Sequence, residues 1–456
     1  MVAIATDPLK RQFTNLLLSE VESITDSNEY YIGIGKSDVW DSSDTVVTPL
    51  RTLKEEREAR NNLQAVKKVT ASSFVIPRYN WSSGTIYSSW SDASVGIPTN
   101  SYYVLTEDNE VYICLQQGKN AAGVVNASTV KPSYTAAGVS EVRAFTTADG
   151  YIWKFLYPIA TSNATNFLSS NFVPVEDITI DSASANLFQL QQLNIQNTAV
   201  GGQILGVEIV SGGSGYSSAP TITFNGDGTG AAATATISGG VVVKVEMNND
   251  SAAFGKGYNF AGAKVSSGTA QLRPIIGPSI GIGKSATRDL KSSSVMFNMK
   301  PDGAEGGNFQ ITNDFRQIVL MKNLDYTDSA SSGGRFTGAS SKVGRFMTLT
   351  GTIAASGLVV DELITGGTSG TTAYVTELDS SSGNIVYFHQ NLNNVAGKFT
   401  DGESITGNGV GSATIDSGDK YNAVDQFSGD VLYIENRASV VRSASQTEDI
   451  KVIITV

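Results

Sequence analysis

The pentapeptide Gly-Ile-Gly-Lys-Ser occurs twice, at 33–37 and 281–285, and invites a phosphate-loop reading. That loop needs G-x-x-x-x-G-K-[ST], because a wide glycine turn must wrap the phosphates before the lysine reaches them. The place of its first glycine is taken by Tyr30 in one copy and by Pro278 in the other. A bulky side chain and a fixed φ both oppose the turn, so each copy reads as a strand running into a glycine turn. The chain's single histidine, His389, sits in the strand-like run NIVYFHQNL and reads as packed. A Ser-His-Asp triad would have to use it, and no G-x-S-x-G elbow accompanies it. Cys114, inside VYICL, is the one cysteine. A disulfide within the chain and a cysteine-built zinc or iron–sulfur site are therefore impossible. GDGTG at 226–230 has the look of a calcium-binding glycine–aspartate repeat, but Asp227 is nearly alone where calcium wants six to eight oxygens. Asp401 and Glu403 in TDGES are equally thin. A glycosidase pair of carboxylates has no local signature. The residues thus specify no catalytic, cofactor or metal site.

Three clusters have the residue types of contacts. IPRYNW places Arg78 and Trp81 just after a strand, with Pro77 stiffening the exit, and Arg and Trp are enriched at interface hot spots. A local Arg–Trp stack closing a domain is the competing reading. DGYIWKFLYPI (149–159) alternates Tyr151, Trp153, Phe155 and Tyr157 on one face, as a core-packing strand does, or as a sugar-stacking platform would. In YIENR, Glu435 and Arg437 share one strand face, suited to a subunit contact or to a bridge between strands of the same chain.

The elements that must position these residues are mostly strands. The 456 residues suggest roughly three domains at about 150 residues each. Charged residues are only 16% against a usual value of about 25%, and glycine numbers 46, which fits a β-rich chain with many turns. The net charge of −11 argues against coating nucleic acid, which needs clustered Lys and Arg. No apolar run approaches the ~18 residues of a membrane-spanning helix, and the N-terminus lacks the pattern of a signal peptide, so synthesis in the cytoplasm is expected. Asp7-Pro8 opens a helix whose stripe of Leu9, Phe13, Leu16, Leu17, Val21 and Ile24 reads as core packing. A second helix is expected over 49–67, with i,i+4 pairs such as Glu56–Arg60. Strands are expected at 29–35 and 74–81, and a hairpin over 101–115 turns at Glu107-Asp108-Asn109. The C-terminal end reads as strands at 428–437, 438–445 and 448–456, the last buried on both faces.

Two regions repeat internally. Tyr216 and Tyr258, each after Gly-x-Gly, recur 42 residues apart within 204–265, and Glu362/Glu403 and Gly366/Gly407 recur at a spacing of 41 within 345–416. Each copy is too small to bury a face alone, so two copies must pair into one β unit. A Ser/Gly-rich stretch, 326–344, connects into the second module.

Five segments, YIGIGKSDVW (31–40), VIPRYNW (75–81), DGYIWKFLYPI (149–159), FRQIVLMKNL (315–324) and SGDVLYIENR…QTEDIKVIITV (428–456), occur in the order seen in the baseplate wedge subunit of T-even-like contractile-tailed phages, the gene-product-eight family, which this chain resembles. The match covers roughly 25–180, 285–330 and the C-terminal 30 or so; the two repeat modules fall outside it. The resemblance implies a multi-domain, mainly β fold with some α (α+β), with β-sandwich or barrel-like modules and a helical N-terminal part. The expected organisation is a discontinuous α+β core (1–85, 276–330 and 418–456), a β domain (86–200) and inserted β-repeat modules at 201–275 and 340–417. The resemblance further implies a non-enzymatic virion protein, homodimeric, contacting other baseplate wedge proteins, without nucleic acid, membrane insertion or cofactor. The residues leave open a carbohydrate-binding tail module and, behind it, a polysaccharide-degrading tail enzyme. Arg78, Trp81, Trp153, Glu435 and Arg437 are the candidates for partner contact or fold anchoring.

Overall fold

A computed structural model describes residues 4–22, 28–248, 253–311, 313–328, 334–390, 392, 395–409, 411–443 and 448–456. The chain is mainly β: strand makes up 39% and helix 14%, where about 20–25% strand is ordinary. It divides into two compact units, one of 1–15, 73–295 and 454–456, the other of 16–72 and 296–453.

In the second unit a five-stranded sheet runs in the order Ser340–Lys342, Leu63–Lys68, Tyr30–Gly35, Asp314–Lys322, Asp430–Val441. The central strand Tyr30–Gly35 is buried on both faces. Gly35 is required there: a Cβ would lie 2.1 Å from the carbonyl oxygen of Asn62. The helix preceding Leu63 is shorter than expected, Leu53–Asn62. Thr52 caps it, accepting from the Glu55 N–H at 3.1 Å. LQAVKK then leaves the helix and pairs antiparallel with Tyr31–Gly35, because Leu63, Ala65 and Val66 find their burial on the sheet. Tertiary burial outweighs the helix propensity of the run. Arg60 turns inward and donates to the carbonyls of Gln426, Ser428 and Gly429, while the i,i+4 ion pair is Lys54–Glu58, at 3.4 Å.

Six strands between Arg345 and Tyr421 close a barrel. Its interior is filled by Met347, Ile364, Val375, Phe388, Ile405 and Ile415 among others. The repeat copies lie side by side in it: Leu363–Gly366 pairs antiparallel with Ser404–Gly407, and Thr365 faces Thr406, its equivalent 41 residues on. Of the expected C-terminal strands, the first two merge into Asp430–Val441. The last, Ile450–Thr455, buries Ile450 and Val452 alternately and so has one buried face, not two. Parts of the 326–344 connector (329–333) and of the 438–445 segment (444–445) fall outside the described residues.

In the first unit, Tyr103–Leu105 and Glu110–Gln116 form the expected hairpin, with Asn109 at φ +57° in the turn. Ile152–Pro158 continues that sheet and is flanked by Ala144–Thr146. A second sheet is ordered Ile222–Gly226, Ala261–Val265, Gln271–Ile276, Ile204–Ser211, beside the hairpin Ala233–Ser238/Val241–Met247. The helix Asp7–Glu22, of which residues up to 15 belong to the first unit and those from Leu16 to the second, departs from its expected packing. Leu9, Phe13 and Leu16 are 43%, 53% and 58% exposed, and Thr14 is the buried residue of the helix. Ile24, the last member of that stripe, lies outside the described residues.

Candidate functional site

The sequence-derived contact residues are scattered. Arg78 donates from Nη1 to the Ser169 carbonyl (2.7 Å) and from Nε to Asn80 Oδ1 (2.9 Å). Trp81 donates from Nε1 to Ser128 Oγ at 3.1 Å and packs against the aromatic core of its sheet. Trp153 has no exposed surface; it stacks on Tyr151 and meets Tyr87 edge-on. Tyr151 and Phe155 are equally enclosed, so this stripe is the sheet's packing face and offers no platform to a sugar. In the other unit, Arg437 is partly exposed, with Nη1 3.9 Å from Glu435 Oε1, and Glu435 Oε2 accepts from Tyr433. Asn436, on the opposite face, links Gln317 to the Val47 carbonyl.

One polar cluster was not legible from the sequence. The loop after Tyr30–Gly35 brings Lys36, Ser37 and Asp38 to His389 on the barrel strand Ile385–Gln390, beside a recess of 190 Å³. Arg316 holds the loop, donating from Nε to both Asp44 oxygens (2.8 and 2.9 Å) and from Nη1 to the Ser37 carbonyl. His389 is buried; its Nε2 lies 3.3 Å from Asp38 Oδ1 and 3.5 Å from Ser37 Oγ. Burial opposes charge on Asp38, but His389 and Lys36 outweigh it and hold the carboxyl well below its ordinary range. The residue types are those of a catalytic triad, but the geometry is not. A triad puts the carboxylate on Nδ1 and the hydroxyl on Nε2. Here both approach Nε2, and Nδ1 has no partner among the described residues. With both groups on one nitrogen, the carboxylate does not orient the imidazole to take a proton from the serine. It clamps the loop to the barrel.

The remaining motif residues serve turns. Asp227 accepts from the N–H groups of Asn259 (2.9 Å) and Phe260 (3.2 Å) and from Asn259 Nδ2 (2.9 Å). Asp401 accepts from the Gly418 N–H at 2.7 Å. In the second GIGKS, Ser285 caps the four-residue helix Ala286–Asp289. In the first, Lys36 sits at φ +63° and donates its N–H to the Asn62 carbonyl. Cys114 is buried, and burial pushes its thiol far up. Among the described residues, no group of three or more His, Cys, Asp or Glu is placed to hold a metal ion.

Part of the exposed surface is apolar. Besides Leu9, Phe13 and Leu16, a groove in the second unit is lined by Leu53, Arg57, Leu392, Lys398, Tyr421 and Phe427, with a volume of 740 Å³. No helix among the described residues is long and apolar enough to cross a membrane. No family model and no curated protein matches the chain.

Proposed function

We propose that this chain is a structural subunit of a phage contractile-tail baseplate wedge. It is made in the host cytoplasm and resides in the virion. It pairs with a second copy of itself, joins neighbouring wedge proteins, and transmits the rearrangement that triggers sheath contraction, carrying out no reaction. In this reading its architecture is α+β, with a helical N-terminal part and inserted barrel-like modules.

The observation that carries the reading is the exposed face of the N-terminal helix. Leu9, Phe13 and Leu16 stand at i, i+4 and i+7, so they form one stripe, and all three are more than two-fifths exposed. A soluble chain gains by covering such a stripe, and an identical helix presents a matching one. The resemblance adds support: three of its five segments, distant in sequence, are adjacent strands (Tyr30–Gly35, Asp314–Lys322, Asp430–Val441) of one sheet.

The test combines L9S, F13S and L16S in one chain. By sedimentation at about ten micromolar, the parent chain is expected to be dimeric and the triple variant monomeric with unchanged circular dichroism. A monomeric parent, or a variant that stays dimeric, overturns the pairing. Antibody labelling of purified particles is expected at the baseplate; labelling anywhere else, or none, overturns the wedge assignment.

A further inference from the structure

The first unit holds a cavity of 450 Å³ whose charge runs against that of the chain. The chain carries 43 acidic and 32 basic side chains, yet the lining contains Lys154, Arg143 and Lys256 and no Asp or Glu. Its apolar wall includes Leu115, Leu205 and Phe254.

Lys154 is the informative member. It belongs to the strand Ile152–Pro158, buried along its length to the residue before the final proline, and is itself 9% exposed. An ammonium in that position ordinarily has a carboxylate partner. Here Nζ donates to the Val142 carbonyl at 2.7 Å, which uses one of its three donors on a neutral group. The carboxylate that acts on it, Asp289, is already bound by Arg288 Nη2 (2.8 Å) and by the Gly283 N–H (2.6 Å). Burial accordingly pulls the Lys154 amine down to about 8. The strand could have housed an apolar residue, as its neighbours Trp153 and Phe155 are.

We propose that this cavity binds a small amphipathic carboxylate, its head on Lys154 with Arg143 and Lys256 around it and its apolar body against Leu115, Leu205 and Phe254. The volume lies within the ordinary range for small-molecule sites, about 300–1,000 Å³. The site is independent of the assembly role proposed above and stands or falls without it.

Decanoate, decanol and inorganic phosphate serve as probes, titrated calorimetrically into the full-length chain. Decanoate is expected to bind at least tenfold more tightly than either of the others, and Lys154→Met to lose at least tenfold of that affinity. Lys291→Met, outside the cavity, is expected to bind as the parent does. Should Lys154→Met fail to fold, reductive methylation of the parent chain replaces it: decanoate is expected to slow modification of Lys154 and to leave Lys291 unchanged. Equal binding of decanol overturns the role of charge, and equal binding of phosphate overturns that of the apolar wall. Undiminished binding by Lys154→Met, or unchanged methylation of Lys154, overturns the site.

Discussion

Replacing Glu403 by glutamine tests the account of the barrel most directly. The carboxylate is almost wholly enclosed and takes four hydrogen bonds. Oε2 accepts from the N–H groups of Thr368 and Ser369, both at 2.9 Å; Oε1 accepts from Thr400 N–H at 2.6 Å and from Ser369 Oγ at 2.9 Å. Glutamine keeps one accepting oxygen. Its better orientation leaves that oxygen on Thr368 and Ser369, lets the Ser369 hydroxyl turn and accept, and strands the Thr400 N–H against an amide donor. An unpaired buried donor costs about 1–3 kcal/mol, and two bonds to a charged acceptor become neutral ones at about 0.5–1 kcal/mol each. The expected loss is about 3 kcal/mol, or about 6–12 °C in Tm for a cooperative unit of roughly 150–250 residues. Burial opposes the charge, but the bonds from Ser369, Thr400 and Thr368 outweigh it and hold the Glu403 carboxyl below the ordinary range. Its contribution is therefore complete above the unfolded-state value of about 4.3 and is lost as pH falls through the lower folded-state value. The melting curves of parent and variant should separate at neutral pH and converge in acid. Glu362 is the internal control, with one bond of 2.7 Å from Val359 N–H and one of 3.4 Å from Gly409 N–H. Glu362→Gln forfeits only the longer bond and should cost about 1 kcal/mol. Urea unfolding reads both variants, with amide exchange at Thr400 reporting Glu403→Gln and at Gly409 reporting Glu362→Gln. Equal losses at the two sites, or a Glu403→Gln protein within about 0.5 kcal/mol of the parent, would refute the reasoning.

Two further outcomes follow from burial. Cys114 should resist a thiol reagent in the native protein and react stoichiometrically in denaturant, since burial raises its thiol and excludes the reagent; rapid native labelling would contradict its placement. Arg60→Lys should destabilise the second unit by about 2 kcal/mol in urea titrations, because one ammonium cannot reproduce a fork that reaches the carbonyls of Gln426, Ser428 and Gly429; an unchanged midpoint would show that the fork is dispensable.

Local pattern carried the strands well. The 103–116 hairpin was legible because apolar alternation flanks a turn of residue types that tolerate positive φ, and Asn109 adopts it. It failed where burial is decided far away in the chain. LQAVKK has helix-forming residues, and only the neighbouring strand Tyr30–Gly35 makes it a strand. The stripe of the first helix has the period of a packed face, and period alone does not say whether the cover comes from the same chain. Ser37 and His389 are 352 residues apart, so no spacing rule could have joined them. Lys154 did leave a signal. A lone cation within IWKFLYP must be buried if that run is a central strand, and a buried cation asks for an anion.

The repeats reach furthest from sequence into structure, because a duplicated segment folded back on itself must oppose equivalent positions. Around the facing pair Thr365 and Thr406, each copy sends its glutamate into the other's glycine turn. Glu403 occupies the space of a Gly366 Cβ, which would sit 2.7 Å from Oε2, and Glu362 that of a Gly407 Cβ, 2.0 Å from its Oε2. The recurrence of glutamate and glycine at the same spacing of 41 is thus one reciprocal contact written twice. The module at 201–275, of unrelated sequence, makes a similar contact between copies with tyrosines 42 residues apart, although the two glycines they cover stand 40 apart. The Tyr216 ring fills the place of a Gly268 Cβ and the Tyr258 ring that of a Gly228 Cβ, with Tyr216 Oη accepting from Ala270 N–H at 2.9 Å. In both modules the glycine of one copy is small because a side chain of the other lies upon it. In the barrel each glutamate accepts from a backbone N–H of its own copy as well as of the other, Glu403 from Thr400 and from Thr368 and Ser369, Glu362 from Val359 and from Gly409. That sharing makes two short glycine-rich segments a single folded body.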